Sequence, residues 1–276
     1  MGGGNNEADV NSCAPVSGQT MVHLLGGPYV TQNGHRTDVP EGSKRLLAFL
    51  ALRRRRVERC YAAGTLWPYG DDRRASGNLR SALWRLRGAG IDVLVADKRS
   101  IGLRPGVAVD IDEVAAWANR LVTQRTLPAD LSLSRPLADA LDLLPGCYDD
   151  WAILERERMR QRMLHALEAL SRAMTERGRY GEAVDAAMMA IGVEPLRESA
   201  QRALLQAHLA ESNLIEARRD FLSYRDLVRR ELGVEPSMEL AALVRWRQPS
   251  RRDLAAGRQS HAPSEMNSVM QATAGR

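Results

Sequence analysis

Five arginines between Arg73 and Arg87 have the spacing of residues that share one face of an α-helix. At 100° per residue they fall on one arc about 160° wide, and no acidic residue lies on this arc. The residues on the arc are Arg73, Arg74, Gly77, Arg80, Ser81, Trp84, Arg85 and Arg87. Guanidinium groups donate hydrogen bonds to phosphate oxygens and to the edges of guanine bases. The spacing therefore predicts a helix whose outer face binds a polyanion.

The opposite face of the same stretch is apolar. Its members lie within about 40° of Leu79 on a helical projection, and they are Ala75, Ala82, Leu83 and Leu86. Asp71 and Asp72 stand where acidic residues cap a helix N-terminus, and Gly88 and Gly90 follow the last turn, where helices end. This pattern predicts a short amphipathic helix. Its basic face is either an ordinary solvated surface or the face of a helix that enters the major groove of DNA.

The residues that follow favour DNA. Ile91 to Ala96 is a short apolar run, Asp97 to Ser100 is a polar turn, and Ile101 to Val109 resumes an extended pattern. A helix, a glycine-containing break and a hairpin with a basic tip come in the order of a winged helix-turn-helix. We therefore expect Lys98 and Arg99 at the tip to reach neighbouring phosphates or the minor groove; the alternative is a solvated turn that does not touch DNA.

The elements upstream must position that helix. Met21 to Leu25 and Pro28 to Thr31 read as strands, and Asn33-Gly34 predicts a type I′ turn into a third strand. Helices are expected from Ser43 to about Leu52 and from Val57 to Trp67.

The cations from Arg53 to Arg56, at the end of the first of these helices, allow two interpretations. They complement the helix dipole, or they contact phosphate.

Charge is unevenly distributed along the 276 residues, whose formal net charge is +5. Residues 21–110 carry 16 Lys and Arg against 8 Asp and Glu, whereas residues 111–248 carry 19 against 22. The basic part is expected to meet a polyanion and the remainder to meet protein. No apolar run is long enough to span a membrane, and the first residues lack the features of a signal peptide. We expect a cytoplasmic protein with no membrane partner.

No pattern indicates catalysis, a metal or a cofactor. Cys13, Cys60 and Cys147 are too few and too widely spaced for a metal site or a disulfide framework. We expect Cys60 and Cys147 to be small buried apolar residues. The sequence has no Walker loop, no Gly-Xaa-Ser-Xaa-Gly and no His-Glu-Xaa-Xaa-His. Asp149 and Asp150 precede a helix and read as caps rather than as a catalytic pair. We expect no enzymatic activity.

Four segments together resemble the DNA-binding domain of SARP-type bacterial regulators. They are Leu24 to Val30, Lys44 to Ala48, Leu66-Trp67 and Leu79 to Arg87. The resemblance implies an OmpR-like winged helix, in which a sheet precedes three helices. It also implies an activator that binds direct repeats in double-stranded DNA near a promoter, engages RNA polymerase and can form a homodimer on DNA. Arg53 to Arg56 depart from the family, which has an apolar helix end and a small polar loop there.

The rest of the chain is helical by pattern, with helices expected at Val114 to Gln124, at Leu137 to Leu144 and from Trp151 onward. Gly178 to Val184 aligns with Ser212 to Arg218 at a spacing of 34 residues, the period of tetratricopeptide helix pairs. A Gly-Val-Glu-Pro phrase ends each copy at a spacing of 41, which predicts a later helix about two turns longer. From Val109-Asp110-Ile111 onward the region resembles the bacterial transcriptional activator domain.

The predicted protein is mainly α with a small β component. Its expected segments are a disordered head (1–20), a winged-helix DNA-binding domain (21–110), a tetratricopeptide-like activator domain (111–247) and a disordered tail (248–276). No aspartate-bearing receiver domain is recognisable. The predicted function is that of a sequence-specific transcriptional regulator, found at the nucleoid when bound to DNA. The alternative is a helical-repeat interaction adaptor with a basic N-terminal domain. Residues expected to bind DNA are Arg73, Arg74, Arg80, Ser81, Trp84, Arg85, Arg87, Lys98 and Arg99.

Overall fold

The computed structural model describes residues 20–132 and 143–245. Two small sheets and three helices form the N-terminal part, and a helical array follows, so the expected fold class is confirmed. The expected disordered head and tail, Cys13 and most of the helix expected over 137–144 lie outside the described residues.

The first sheet is built from the predicted hairpin. Strands β1 (Met21–His23), β2 (Tyr29–Gln32) and β3 (His35–Asp38) are antiparallel neighbours. Asn33 and Gly34 have φ of 51° and 81°. Both values are positive, as a type I′ turn requires. The Asn-Gly signal therefore predicts this turn correctly.

Three helices pack beside this sheet: α1 (Glu41–Arg53), α2 (Arg59–Leu66) and α3 (Asp72–Gly88). Helix α1 begins two residues before the predicted Ser43 because Ser43 is not a cap. Its side chain is buried, and its Oγ donates a hydrogen bond to the Ala82 carbonyl of α3 at 2.9 Å.

The second predicted helix begins too early. Val57 and Glu58 form a strand, β4 (Val57–Glu58), because they pair with Ile101 and Ser100. Strand β4 joins β5 (Leu94–Ala96) and β6 (Ser100–Leu103) in the order β4-β6-β5. The wing is therefore a three-stranded sheet anchored to the residues before α2.

The predicted extended run to Val109 is divided between the two sheets. Strand β6 ends at Leu103, and β7 (Ala108–Val109) pairs in parallel with β1. The chain turns between them at Pro105, which has no N–H to donate, and Gly106, whose φ is +83°. The extended pattern is correct for both strands, but one continuous run is wrong, because local sequence does not show which sheet a strand joins.

Asp110 ties the following helix, α4 (Asp110–Val122), to the first sheet. Its carboxylate accepts hydrogen bonds from the backbone N–H groups of Leu24 at 2.9 Å and Leu25 at 3.1 Å. Burial raises the pKa of Asp110, and these bonds to its charged form oppose that shift. Apolar residues on both sides of position 110 belong to one core. The boundary at 110/111 remains a prediction.

Leu143 and Leu144, expected to end a helix, are not helical. Leu143 forms an antiparallel bridge with Leu25, and the Leu144 N–H donates to the Leu24 carbonyl at 3.0 Å. Leu144 has a positive φ of 52°. Pairing with the first sheet therefore overrides the helical pattern here.

The helical array consists of α5 (Asp150–Thr175), α6 (Tyr180–Val193), α7 (Glu198–Ala210), α8 (Leu214–Leu232) and α9 (Met238–Leu243). Helices α6 and α8 begin 34 residues apart, as the repeat predicts. Ala183 and Ala217 occupy equivalent positions and are both fully buried, where a small side chain allows close packing.

Helix α8 has 19 residues against 14 in α6, a difference of five and not the predicted seven. Helix α6 continues into the Gly-Val-Glu-Pro phrase as far as Val193, whereas α8 ends before Gly233, which is left-handed with φ of +70°.

The expectation for Cys60 is wrong. Its side chain is exposed because Ala62, Ala63 and Leu66 take the core side of α2. Cys147 is half-buried. Within the described residues, no helix is long and apolar enough to cross a membrane. The same residues contain no cluster of three or more His, Cys, Asp or Glu that could hold a metal.

His23 lies half-buried in the first sheet. Its ring stacks on Tyr29 with centroids 4.3 Å apart, and its Nε2 is 3.0 Å from the Thr31 hydroxyl. Its Nδ1 is 3.7 Å from the Asp110 carboxylate. Burial lowers the pKa of His23 below 6.5 despite this carboxylate, and Arg36 acts in the same direction as burial.

This lowered pKa predicts a pH-dependent stability. Because the folded chain binds a proton at His23 less readily than the unfolded chain, the free energy of unfolding should fall as pH falls through 6.5. Chemical denaturation at pH 7.5 and 5.5 should show His23→Gln losing less stability than the wild type, by a few tenths to about 1 kcal/mol. His35→Gln, at an exposed histidine of β3, is the control. Equal losses in wild type and His23→Gln would contradict the prediction.

Candidate nucleic-acid interface

Helix α3 buries its apolar face and exposes its basic face. Ala75, Leu79, Ala82 and Leu86 are buried, and Leu83 is half-buried. Asp71 is the N-cap, and its carboxylate accepts a hydrogen bond from the Arg74 N–H at 2.7 Å. The predicted contact residues on this helix are all exposed: Arg73, Arg74, Arg80, Ser81, Trp84, Arg85 and Arg87. The helical projection made from the sequence therefore describes α3 correctly.

The arginines of this face have no partners in the described part of the chain. The side chains of Arg73, Arg74, Arg80 and Arg87 make no ion pair or hydrogen bond there. Several arginines elsewhere are paired with carboxylates, such as Arg120 with Asp130 at 2.6 Å and Arg197 with Glu168 at 2.5 Å. Helix α3 thus presents uncompensated positive charge in side chains that are free to bind an anion.

Trp84 and Arg85 add detail to this face. Trp84 is 75% exposed, in the middle of the basic face, although tryptophan is a residue that normally buries most of its surface. The Arg85 guanidinium reaches toward α1, where a Cβ placed on Gly42 would lie 2.7 Å from it. The Arg80 guanidinium lies beside its own helix, with Nη2 3.8 Å from the place of a Cβ on Gly77.

The wing tip is shaped by Asp97. Its Oδ1 accepts hydrogen bonds from the backbone N–H groups of Arg99 at 2.8 Å and Ser100 at 2.7 Å. These bonds, with smaller contributions from the Ser100 hydroxyl and Arg56, lower the pKa of Asp97 to about 2. Lys98 and Arg99 are exposed at the tip, as predicted.

A shallow pocket connects the wing with α3. Leu83 and Leu86 of α3 line it together with Leu94 and Ala96 of β5. This shared apolar contact places β5 beside the C-terminal half of α3. The wing therefore packs directly against α3.

The four arginines from position 53 to 56 separate into different roles. Arg53 lies over the Phe49 ring at 5.0 Å and donates to the Tyr61 hydroxyl at 3.2 Å. Arg54 adopts the left-handed conformation that ends α1 and pairs with Asp112 at 2.8 Å. Arg56 bonds to residues of the wing. Arg55 is exposed. Neither interpretation made from the sequence included these contacts within the protein.

Arg59 is a residue that sequence reasoning missed. Its backbone N–H donates to the Arg99 carbonyl at 2.8 Å, and its guanidinium is 3.4 Å from the Asp97 carbonyl. Arg56 and Arg59 thus stand beside the wing tip on either side of β4. The only local signal would have been a strand of two residues, which is too short to recognise in a sequence.

Comparison with known proteins identifies the helical part. Residues 134–246 match the family described as the bacterial transcriptional activator domain. The match agrees with the activator domain that this part of the sequence resembles. A comparison with proteins of curated function gives no match.

A solved structure of Mycobacterium tuberculosis EmbR, in complex with a low-affinity phosphopeptide, has a similar fold. The TM-score is 0.63 at 22% sequence identity, and the match covers 86% of this chain and 65% of that chain. The chain thus spans less than two thirds of EmbR. At this identity the likeness concerns the fold.

The activator domain contacts the winged helix through α1. Arg45 donates to the Asp149 carboxylate at 2.8 Å, and the Phe49 ring meets Trp151 edge-on with centroids 5.4 Å apart. Asp149 occupies the N-cap position of α5 but makes no capping bond with its side chain, contrary to expectation, because this carboxylate binds Arg45 instead. The same helix α1 also bonds to α3 through Ser43. Helix α1 therefore links the activator domain to the basic helix.

Proposed function

We propose that the chain is a sequence-specific DNA-binding regulator that inserts α3 into the major groove of double-stranded DNA. The observation that carries the proposal is the exposed face of α3, on which unpaired arginines surround an exposed tryptophan. A solvated surface helix has no need of a solvent-exposed Trp84, since its indole gains nothing in water. Arginines that are unpaired in the free protein do not have to break an ion pair before they bind a phosphate.

In this proposal the residues divide into two groups. Those near the centre of the face read base edges, and those toward the ends bind phosphates. Arg80, Ser81, Trp84 and Arg85 form the first group; Arg73, Arg74 and Arg87 form the second. Lys98 and Arg99 of the wing bind the backbone or the minor groove beside the same site.

The activator domain supplies the second half of the proposal. We infer that the protein binds direct repeats near a promoter as a homodimer and engages RNA polymerase. The family of residues 134–246 supports activation. Linked binding to two sites raises occupancy through effective concentration, without new base contacts. Such binding would place the protein at the nucleoid.

A mobility-shift titration tests the proposal. The full chain is added to a duplex from the region upstream of the neighbouring genes, with scrambled duplex as competitor. The expected result is a retarded complex that survives an excess of scrambled competitor. Failure to bind either duplex would favour the alternative, a helical-repeat adaptor whose basic domain serves another contact.

Arg80→Ala tests base reading. Removing a bidentate contact to guanine should cost about 1–3 kcal/mol on the preferred duplex and much less on scrambled duplex, so sequence preference is relaxed. Arg162→Ala is the matched control, since Arg162 is exposed on α5 and has no ion pair within the described residues. Equal weakening on both duplexes would show that Arg80 is only a phosphate contact.

Replacing Lys98 and Arg99 together by Ala tests the wing. Binding to all sequences should weaken, and the slope of log K against log salt should become shallower by up to about 2, about one for each phosphate that the tip no longer neutralises. The measurement is a titration at several salt concentrations on the preferred and scrambled duplexes. A slope equal to that of the wild type would show that the tip does not touch phosphate.

A further inference from the structure

The wing tip contains a negative charge where DNA binding requires positive charge. Asp97 immediately precedes Lys98 and Arg99, and its side chain is 57% exposed. Its Oδ1 holds the turn closed through the N–H groups of Arg99 and Ser100. With a pKa of about 2 the carboxylate stays ionised at neutral pH. An uncompensated Asp97 would repel the phosphates that the tip must approach.

Arg56, which directly precedes β4, binds this carboxylate. Its Nη2 donates to Asp97 Oδ2 at 2.5 Å, and its Nε donates to the Ser100 hydroxyl at 2.9 Å. The two bonds reach both ends of the tip turn. Arg59, the other cation nearby, reaches only the Asp97 carbonyl, at 3.4 Å. Arg56 is therefore the side chain that neutralises Asp97.

The backbone of Arg56 is also fixed against the wing. A Cβ on Gly102 of β6 would lie 3.1 Å from the Arg56 Cα, a contact too close for most side chains. Glycine at position 102 thus allows the chain before β4 to pass directly over the hairpin. Because both its backbone and its side chain lie against the wing, Arg56 has little freedom to turn toward a ligand.

We propose that Arg56 is a positioning residue of the DNA-binding wing, which neutralises Asp97 and orders the tip so that Lys98 and Arg99 face phosphate, and which does not itself bind phosphate. This inference rests on the proposed function. It also gives a role to one of the arginines that depart from the family pattern.

A second ion pair in the wing, between Arg104 and Asp92, serves as the control. Arg104 pairs with Asp92 at 2.6 Å, with side-chain exposures of 47% and 60%, against 45% and 57% for Arg56 and Asp97. The two pairs thus match in chemistry and exposure. They differ in place, since Arg104 follows the end of β6 that is remote from the tip. Exposed ion pairs add little to stability, so neither arginine should be needed for folding.

A double-mutant cycle on the full chain tests the proposal, with affinity for the preferred duplex as the readout. Arg56→Ala should weaken binding roughly three- to fivefold, the size expected of one exposed charge pair. Asp97→Asn keeps a side-chain oxygen that can accept the hydrogen bonds of the turn but removes the negative charge. This variant should bind within about twofold of wild type. Adding Asp97→Asn to Arg56→Ala should restore that affinity, while Arg104→Ala should bind like wild type.

Two outcomes on DNA would overturn the proposal. If Arg56→Ala weakens binding by the same factor in the wild-type and the Asp97→Asn backgrounds, Arg56 binds phosphate directly. If Arg56→Ala leaves the affinity of the wild type unchanged, Arg56 has no role in binding.

Amide hydrogen exchange on the free protein tests tip order without DNA. Exchange at Arg99 and Ser100 should be faster in Arg56→Ala and unchanged in Arg104→Ala; unchanged exchange in both would contradict the ordering role. A wild-type chain that binds no duplex would instead refute the proposed function, and the exchange rates would still decide whether Arg56 orders the tip.

Discussion

The rotation of α3 about its own axis is the constraint on which the interface depends. Leu79 and Leu86 are almost completely buried, and burial of each such side chain is worth roughly 1.5–3 kcal/mol. Rotating the helix by one residue position would expose this stripe and bring arginines toward the core, where an unpaired charge costs far more than exposure of an apolar side chain to water. The core therefore fixes the direction of every arginine on the outer face.

Helix α1 connects α3 with the rest of the molecule. It meets α3 through Ser43, the activator domain through Arg45 and Phe49, and the start of α4 through Arg54. Asp110 adds a second connection between the helical array and the first sheet. The winged helix and the activator domain thus share an apolar core and polar contacts, and α1 contributes to both.

Features set by nearby residues could be predicted from the sequence. The two faces of α3, the Asn33-Gly34 turn and the 34-residue offset between α6 and α8 each follow from residue types within a single element or repeat. Their physical causes, burial of a stripe, positive φ and recurrent helix packing, are local.

The errors concern features that depend on distant partners. Strand β4 exists because Val57 and Glu58 pair with Ile101 and Ser100, far along the chain, and β7 exists because it joins β1. Cys60 was expected to be buried, but the packing of α2 leaves its side chain exposed to solvent. Arg56 was seen only as part of a basic run because Asp97, which gives it a role, is 41 residues distant.

Entry of α3 into the major groove is the central claim. Selection of duplexes bound by the full chain from a random pool, followed by dimethyl sulfate protection on the selected sequence, measures this directly, because guanine N7 lies in the major groove and adenine N3 in the minor groove. We expect an enriched sequence in which guanine N7 atoms are protected in the wild type and reactive again in Arg80→Ala. A pool without enrichment, or protection confined to adenine N3, would contradict the claim.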